Sequence, residues 1–393
     1  MTFWLHILFW LPAALLFHSY VLFPVFLDHL YRRRGRRHME EEQHPFPKVS
    51  VLIPAYNEAG VIEEKIRSVF ASDYPAEQLE VLVASDASTD RTDAIVRQLT
   101  EEFPALRFFR QENRTGKPGL IDLLAEKAAG EILVLTDANV LLAPDTLRLM
   151  TAPFCDPRTG LVDTRLVGTG SDSGIALLEK KYHEREVMIK HKEGAVWGFI
   201  MGPSGACYAL RRELLTPVPS NFLVDDFYIS MQVIRRGHTA CVVPEAMVYE
   251  DVTEHFREAF RRKVRIAAGN FQNLAHFLPM FRNIFSPLGY CFWSHKGIRW
   301  FGPWLLIINL TSNIFLAMFS PLYTFFLGVQ AGILLLAAFD ALLGIFGKQI
   351  VILRFITHFY AMNLALAAGA VKALKGIKTN VWKPTKRNPQ HKR

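Results

Sequence analysis

The chain has 393 residues, of which 50% are hydrophobic, and it carries a formal net charge of +8. This length allows two or three domains, and the hydrophobic fraction is high for a soluble enzyme. Much of the positive charge lies in an arginine run at 32–37 and in the C-terminal tail, a pattern typical of contact with anionic lipid headgroups. No nucleic-acid-binding motif accompanies it. The 4 cysteines are scattered singly, which argues against a zinc site or a disulfide framework.

Several apolar segments predict contact with a membrane. Residues 2–30 are almost uncharged and precede the arginine run, so we expect a retained anchor, not a cleaved signal peptide, with the arginines in the cytoplasm. Three later segments approach the ~20 residues that a bilayer requires: 300–319, 322–346 and 350–372. Four crossings would place the basic tail outside, although segments rich in Lys and Arg favour the cytoplasmic side. The segment at 350–372, with Arg354, His358 and Asn363, is therefore the candidate for an interfacial or re-entrant piece.

Between these segments, from Pro47 to about Phe271, short apolar strands alternate with amphipathic helices. The predicted strands are 49–53, 79–84, 106–109 and 131–135, and the predicted helices are 58–70, 89–99 and 118–128. This alternation predicts βαβ units on a mostly parallel sheet. Because parallel strands share their carboxyl ends, we expect the polar turns after the first, second and fourth strands to meet at one edge.

The turn after the fourth strand is the strongest candidate for a site. It reads TDAN, and Asp137 and Asn139 stand two residues apart, so on extended backbone their side chains point the same way. Two such oxygen ligands suit a hard divalent cation that also holds phosphate oxygens. The alternative is an ordinary turn, because Asp and Asn are common turn formers.

The other turns add candidates of the same kind. Asp86 follows an apolar strand, where a carboxylate can accept an N–H of a base. Thr89 or Ser88 with Asp90 could instead cap the next helix. Gly116-Lys117 opens the third predicted helix, and its amides and ammonium suit a phosphate, although this is no Walker A loop.

As a set, these motifs resemble the nucleotide-binding motifs of family 2 glycosyltransferases, which are inverting enzymes with the GT-A fold. The early motifs are PAYNE at 54–58, SDASTD at 85–90, NRTGKPG at 113–119 and TDAN at 136–139. The later motifs follow in the family's order: GPSGACYALRRELL at 202–215, VDDFYISMQVIRRGH at 224–238 and RRKVRIAAGN at 261–270. The apolar segments on both sides are similar to the membrane-bound branch, which includes cellulose synthases and poly-N-acetylglucosamine synthases.

The resemblance implies a binding site for the nucleotide of a UDP-sugar. Pro54, Tyr56 and Glu58 would contact the nucleoside, with Tyr56 against the uracil. Asp86 would accept a uracil N–H, and Lys117 would help to neutralise the donor. Asp137 and Asn139 would hold Mg²⁺ or Mn²⁺. The chain departs from the family at Ser85 and Asn139, where the family usually has Asp.

The later motifs imply the catalytic residues. Asp226 aligns with the general base and Asp225 with the acidic residue before it; alternatively, Asp225 caps a helix at 227–236. Gly205, within Gly202–Tyr208, would belong to the acceptor-side wall.

The last motif is where the chain departs most from the processive synthases. Arg265 would reach the diphosphate. Arg262 and Ile266 replace the Gln and Trp of the QxxRW motif that processive synthases carry, which puts processivity in doubt.

We therefore expect an α/β protein with a GT-A (Rossmann-like, mostly parallel sheet) catalytic domain flanked by transmembrane helices. The expected segments are an anchor at 1–30, a basic linker at 31–46, the catalytic domain at 47–271, an interfacial segment at 272–299, a transmembrane region of two or three spans at 300–373 and a basic tail at 374–393.

The resemblance implies an inverting transferase of the inner (plasma) membrane, multi-pass, with its catalytic domain in the cytoplasm. It would move a sugar from a UDP-sugar to a lipid-linked or membrane-proximal glycan for cell-surface or exopolysaccharide synthesis. The alternatives are a processive synthase of the poly-N-acetylglucosamine, cellulose or hyaluronan kind and a non-catalytic membrane scaffold of a polysaccharide assembly. Expected partners are the donor, the acceptor, membrane lipids and export or polysaccharide-assembly proteins, and no nucleic acid.

Overall fold

The structure, a computed structural model, describes residues 2–34, 46–169, 174–251, 256–346, 350–377 and 379–380. The chain divides into two compact units. One comprises 1–30, 171–179 and 254–376, and the other comprises 31–170, 180–253 and 377–393. Most of the predicted basic linker and most of the predicted basic tail lie outside the described residues. The six predicted segment boundaries stay predictions.

A mixed sheet of eight strands organises the second unit. The strands are β1 Val49–Ala55, β2 Leu79–Asp86, β3 Leu106–Gln111, β4 Ile132–Thr136, β5 Val140–Leu142, β6 Thr159–Thr169, β7 Cys207–Arg211 and β8 Thr239–Asp251. Their order across the sheet is β3-β2-β1-β4-β7-β6-β8-β5. β1 pairs in parallel with β2 and β4, β2 with β3, and β6 with β8. β7 runs antiparallel between β4 and β6, and β5 runs antiparallel to β8. The predicted α/β class with a mostly parallel sheet is confirmed.

The described part of the chain forms the following helices: α1 Thr2–Phe17, α2 Phe23–Arg34, α3 Ile62–Phe70, α4 Thr92–Glu102, α5 Gly116–Lys127, α6 Thr146–Thr151, α7 Gly174–Trp197, α8 Asp225–Arg235, α9 Phe256–Phe281, α10 Pro287–Phe292, α11 Ile298–Trp300, α12 Gly302–Ala317, α13 Pro321–Ile345 and α14 Val351–Leu374. A π-helical segment, His18–Leu22, joins α1 to α2. Every residue of β1 and β4 is buried, as expected for central strands covered on both faces. Ile62, Ile66 and Val69 of α3 pack into this core.

Two predicted helices begin later than expected, because turns occupy their first residues. The predicted helix 58–70 begins at Ile62, since the carbonyl of Glu58 accepts the amides of Val61 and Ile62 in a turn. Asn57 before it adopts a positive φ of 53°. The predicted helix 89–99 begins at Thr92, because the residues before it form a second turn. The predicted helix 118–128 begins two residues early, at Gly116.

Two helices of the described part of the chain are long and apolar enough to cross a membrane, Thr2–Arg34 and Pro321–Gly344. A third crossing is counted if Pro287–Trp300 and Gly302–Ala317, which meet at a 65° bend, form one broken span. α14 is a continuous helix of 24 residues that does not meet the same criteria. Its Arg354 pairs with the buried Asp340 of α13 at 3.5 Å. Whether α14 crosses a membrane stays a prediction.

Candidate active site

The turns after β1 and β2 are joined by hydrogen bonds into one structure. The amide of Asn57 donates to Ser88 Oγ at 3.1 Å, and the amide of Thr89 donates to Asn57 Oδ1 at 2.8 Å. The amide of Ala59 donates to Asp90 Oδ2 at 3.1 Å. Asp90 also accepts the amide of Thr92 at the start of α4. Asp90 therefore bonds the first residue of α4 and fixes the PAYNE motif as well. The N-cap of α4 is Arg91 with no side-chain cap, so the alternative that Ser88, Thr89 or Asp90 is the N-cap residue is wrong.

Asp86 ends β2 with a fully buried carboxylate that holds the NRTGKPG turn. Its oxygens accept the amide of Thr115 at 2.6 Å, the hydroxyl of Thr115 at 3.1 Å, the amide of Gly116 at 3.2 Å and Nε of Arg114 at 2.8 Å. A carboxylate offers about four lone-pair positions, and these four donors use them. An N–H of a base must displace one of them to bond Asp86, so the predicted contact with uracil stays a prediction.

Arg114 also covers the ring of Tyr56, with 3.2 Å between the guanidinium carbon and the ring centre. This cation–π contact connects the motif after β1 with the motif before α5. Pro54 lies on β1 opposite Ala84, and Glu58 is largely buried in the adjoining turn. Pro54, Tyr56 and Glu58 thus lie in or beside turns that neighbouring residues hold in place. Their predicted contacts with the nucleoside stay predictions.

Lys117, at the start of α5, connects the early motifs to the later ones. Its ammonium lies 2.8 Å from Asp137 Oδ1 and 3.6 Å from Asp225 Oδ2. Burial lowers the pKa of Lys117, but the charges of Asp137 and Asp225 outweigh it and raise the pKa overall. Lys117 is therefore a firmly charged cation placed between the TDAN and VDDF motifs.

Asp137 and Asn139 follow β4 and are both partly exposed. The amide nitrogen of Asn139 donates to Glu250 Oε1 at 3.1 Å, so the atom of Asn139 predicted to hold a metal is its side-chain oxygen. Two hard oxygens fit Mg²⁺ or Mn²⁺, which are commonly held by one or two protein ligands together with phosphate oxygens. Within the described residues no cluster of three His, Cys, Asp or Glu side chains offers a metal site.

A buried lysine beneath this motif fixes its shape. Lys65 of α3 is fully buried, and its ammonium donates to Thr136 Oγ1 at 2.8 Å and to the carbonyl of Val140 at 2.5 Å. Thr136 begins the TDAN motif, and Val140 directly follows it. Burial lowers the pKa of Lys65 to about 8, opposed by Cys207 and Asp137. Lys65 is thus a support for the residues predicted to hold the metal.

The VDDF motif places two carboxylates at the start of α8. The helix begins at Asp225, two residues earlier than predicted, and its N-cap is Val224 with no side-chain cap. The alternative that Asp225 caps this helix is therefore wrong: Asp225 already belongs to the first turn, and its buried Oδ2 has no hydrogen bond. Asp226 Oδ1 accepts the amide of Phe227 at 2.6 Å.

Asp226 has the electrostatic environment of a general base. Burial and then the charge of Asp225 raise the pKa of Asp226 to about 7, against the opposing charge of Lys117. A carboxylate with a pKa near neutrality accepts a proton effectively at the working pH. The predicted catalytic role of Asp226 and Asp225 stays a prediction.

The loop before β7 lies directly against Asp226. Gly205 adopts a φ of +76°, and an added Cβ would lie 2.1 Å from Asp226 Oδ2. Ser204 beside it donates through its amide and its hydroxyl to Asp163 Oδ1, each at 3.0 Å. Asp163 is fully buried and paired with Lys190 at 2.5 Å. A buried ion pair thus fixes the loop, and Gly205 leaves room for the carboxylate.

The structure brings half of the predicted residues into one continuous arrangement: Asp86, Lys117, Asp137, Asp225, Asp226 and Gly205. Arg262 and Arg265 lie on α9 in the other unit, and their predicted contacts stay predictions. Trp197, at the end of α7, stacks on Phe199.

Three residues with structural roles at the site were not predicted: Lys65, Arg114 and Asp163. The sequence contains a signal that could have revealed Lys65, because it is a charged residue on the otherwise apolar face of α3.

Comparison with known proteins supports the same assignment. Residues 50–217 match the family model described as glycosyl transferase family 2. A probable glycosyltransferase of Bacillus subtilis, YdaM, is 24% identical over 97% of this chain and 96% of its own length. An N-acetylglucosaminyltransferase of Rhizobium meliloti is 26% identical over 62% of this chain and 60% of its own length.

Among solved structures, the mannosyltransferase PcManGT from Pyrobaculum calidifontis, in complex with GDP-Man and Mn²⁺, superposes with a TM-score of 0.71 at 25% identity. The match covers 93% of this chain and 99% of that one. The sheet, the order of the motifs and these likenesses agree: residues 50–217 form a family 2 glycosyltransferase domain, and the protein is a transferase with the GT-A fold.

Proposed function

We propose that the chain is an inverting, membrane-anchored glycosyltransferase that moves a sugar from a UDP-sugar to a lipid-linked or membrane-proximal glycan. The observation that carries this proposal is the meeting of three groups: a carboxylate with a raised pKa, Asp226; a cation, Lys117; and the oxygen ligands of the TDAN turn. A base, a counter-charge for a diphosphate and a cation site are the parts that glycosyl transfer from a nucleotide sugar requires.

The chemistry is a single displacement. Asp226 accepts the proton of the acceptor hydroxyl while that oxygen forms a bond to the anomeric carbon. The bond between the anomeric carbon and the diphosphate oxygen breaks on the opposite face, so the configuration inverts and the nucleoside diphosphate leaves with the electron pair. Lys117, held 2.8 Å from Asp137, offsets the negative charge that develops on the leaving group.

Asp137 and Asn139 are the residues that would hold Mg²⁺ or Mn²⁺. When bound, the ion would neutralise the diphosphate as a Lewis acid. The solved relative that holds Mn²⁺ supports this assignment. Activity should be lost in EDTA and restored by added Mn²⁺ or Mg²⁺; transfer at full rate in EDTA would refute the metal site.

A GDP-sugar is the second candidate donor, because the solved relative was obtained with GDP-Man. The test is a screen of UDP-sugars and GDP-sugars with the purified full chain in lipid, measuring release of the nucleoside diphosphate. We expect release from a UDP-sugar, with the Asp226→Asn protein as the inactive control. Release from GDP-sugars alone would replace the donor, and no release from any donor would favour the non-catalytic scaffold.

We propose one or a few additions for each acceptor, because α9 carries Ile266 where processive synthases have Trp. An aliphatic side chain has no π face, and aromatic contacts contribute roughly 0.5–1.5 kcal/mol beyond area burial. Arg262 nearby adds a charge that suits a phosphate-bearing lipid acceptor. Product size distinguishes the addition of one or a few sugars from processive synthesis. A ladder of products that runs to high mass while enzyme is scarce would favour the processive synthase.

The proposed location is the inner (plasma) membrane, with more than one span and the catalytic unit in the cytoplasm. Two apolar helices able to cross a membrane support the membrane part of this proposal. Arg32, Arg33 and Arg34 at the end of α2 support the orientation, because such residues favour the cytoplasmic side. Export and polysaccharide-assembly proteins are the partners that this location suggests.

A further inference from the structure

Tyr208 is a buried tyrosine on the face of the sheet that carries the candidate site. β7 lies between β4 and β6, and Tyr208 is paired directly with Leu135 on one side and Asp163 on the other. Directly paired residues of antiparallel strands have their side chains on the same face. Tyr208 therefore shares its face with Asp163, the carboxylate that fixes Ser204 beside Gly205. Its side chain is 1% exposed.

The hydroxyl of Tyr208 has no hydrogen-bond partner. Burial raises the pKa of Tyr208 well above its ordinary value, and the charges of Asp225, Asp226, Asp137 and Asp163 raise it further. The group is therefore a neutral donor that experiences the negative charge of four carboxylates. Buried hydroxyls in folded proteins nearly always have a partner, so a donor left free at a catalytic site is expected to find its acceptor in another state of the enzyme.

Two of the neighbouring carboxylates already have donors. Asp163 Oδ1 accepts the amides of Thr164 and Ser204, and its Oδ2 accepts the ammonium of Lys190. Asp226 Oδ1 accepts the amide of Phe227, and its Oδ2 lies against Gly205.

The remaining two carboxylates share one cation. Lys117 lies 2.8 Å from Asp137 Oδ1 but 3.6 Å from Asp225 Oδ2. Asp225 Oδ2 is buried and, like the Tyr208 hydroxyl, has no hydrogen bond. The site thus contains one buried donor and one buried acceptor that are each unsatisfied, and they are complementary.

A bound donor would change this arrangement. The diphosphate is a multiply charged anion, and Lys117 is the cation placed to meet it. As the ammonium turns toward the phosphates, Asp225 loses its nearest positive charge. A buried carboxylate without a partner is strongly unfavourable, so another donor has to replace the lysine.

We propose that Tyr208 is a positioning residue whose hydroxyl takes over Asp225 Oδ2 when the donor diphosphate draws Lys117 away. The inference rests on the proposed function, because it assumes that Lys117 binds the diphosphate. The exchange keeps the carboxylate of Asp225 hydrogen-bonded and fixed beside Asp226 while the lysine is engaged with the substrate.

A thermal-unfolding cycle tests the exchange without any substrate. Tyr208→Phe alone should not lower the unfolding temperature of the full chain, because the resting hydroxyl makes no bond and its burial without a partner is unfavourable. In a Lys117→Met background, Asp225 depends on Tyr208, so the same substitution should lower the unfolding temperature. The control is Tyr74→Phe, which removes a bond of 2.6 Å to the carbonyl of Pro47 and should lower it equally in both backgrounds. Equal effects of Tyr208→Phe in both backgrounds would overturn the proposal.

Binding of UDP in the presence of Mn²⁺, measured by calorimetry, is the second test. Tyr208→Phe should bind UDP roughly tenfold more weakly than the wild type, the size expected for one hydrogen bond to a charged group. Tyr74→Phe should bind UDP as the wild type does. Unchanged affinity in Tyr208→Phe would contradict the exchange. If the wild type itself binds no UDP, the proposed donor fails, and the unfolding cycle still decides whether Tyr208 and Asp225 pair.

Discussion

At the scale of single residues, the site depends on how Asp226 is buried. The carboxylate lies next to Asp225, opposite Lys117 and against a glycine. Burial and a neighbouring negative charge both favour the protonated form, and Lys117 limits their effect. The result is a carboxylate that ionises near neutral pH, which neither an exposed aspartate nor one firmly paired with a cation would do.

Substitution of the proposed base should separate binding from chemistry. Asp226→Asn keeps the size of the side chain but cannot accept a proton, so transfer should fall by ~10²–10⁴ while UDP still binds. In the wild type, kcat/KM should fall as the pH is lowered through about 7, because Asp226 becomes protonated there.

The matched variant is Asp225→Asn. It removes a charge that raises the pKa of Asp226. The pH at which kcat/KM falls on the acidic side should therefore move lower, while transfer continues. An inactive Asp225→Asn protein together with an active Asp226→Asn protein would show that the base is the other carboxylate.

Gly205 should be intolerant of even one added carbon. Gly205→Ala combines a positive φ, which costs about 1–2 kcal/mol for other residues, with a Cβ placed 2.1 Å from Asp226 Oδ2. We expect transfer to fall by at least tenfold. Gly237→Ala is the control, because its φ is +85° but nothing lies within 4 Å of the added carbon. Similar activity in both variants would show that Gly205 is needed only for its backbone conformation.

At the scale of elements, the site is made by turns that hold one another. The PAYNE and SDASTD turns exchange hydrogen bonds, Asp86 fixes the NRTGKPG turn, and Lys65 connects the two ends of TDAN. These bonds explain why two helices begin later than their periodicity predicted: their first polar residues are used to join the turns.

Lys65→Met should loosen the TDAN turn without changing its residues. Methionine has a similar length and removes both donors, so Asp137 and Asn139 lose the group that fixes their backbone. Residues that orient metal ligands typically change metal affinity by about 10–100-fold. We therefore expect at least tenfold weaker Mn²⁺-dependent UDP binding, measured by calorimetry. Lys127→Met, at an exposed lysine on α5, is the control, and equal binding in the two variants would remove Lys65 from the site.

The sequence predicted the elements up to β4 well, because strands and helices there follow one another and end in recognisable turns. It also predicted Asp86, Asp137 and Asp226 as candidate site residues, each of which stands beside an apolar run in a motif. It could not place Tyr208, because β7 inserts between β4 and β6 out of chain order. The face on which a strand residue lies, and hence its neighbours, follows from that pairing and not from local pattern. The alternative that Asp225 caps α8 was wrong because this helix begins two residues earlier than its apolar periodicity indicates.

At the scale of the whole molecule, the chain joins a family 2 catalytic unit to helices that could cross a membrane. A donor nucleotide sugar made in the cytosol can reach the site only if the catalytic unit faces that compartment. The orientation is therefore as important to the proposal as the carboxylates.

Cys155 is a natural reporter of this orientation, because its side chain is exposed in the catalytic unit. A membrane-impermeant maleimide should label Cys155 in lysed cells and not in intact cells. The control is Thr2→Cys in a Cys155→Ser background, which should be labelled in intact cells, since the N-terminus is expected outside. Labelling of Cys155 in intact cells would invert the orientation.

The proposed reaction is a direct displacement at the anomeric carbon with Asp226 as the base. The measurement is the anomeric configuration of the product, determined by NMR after transfer from an α-linked nucleotide sugar by the purified full chain. A single displacement assisted by one base predicts a β-linked product and no detectable α anomer. An α-linked product would contradict the account, because retention requires either a covalent intermediate or attack on the face from which the diphosphate leaves.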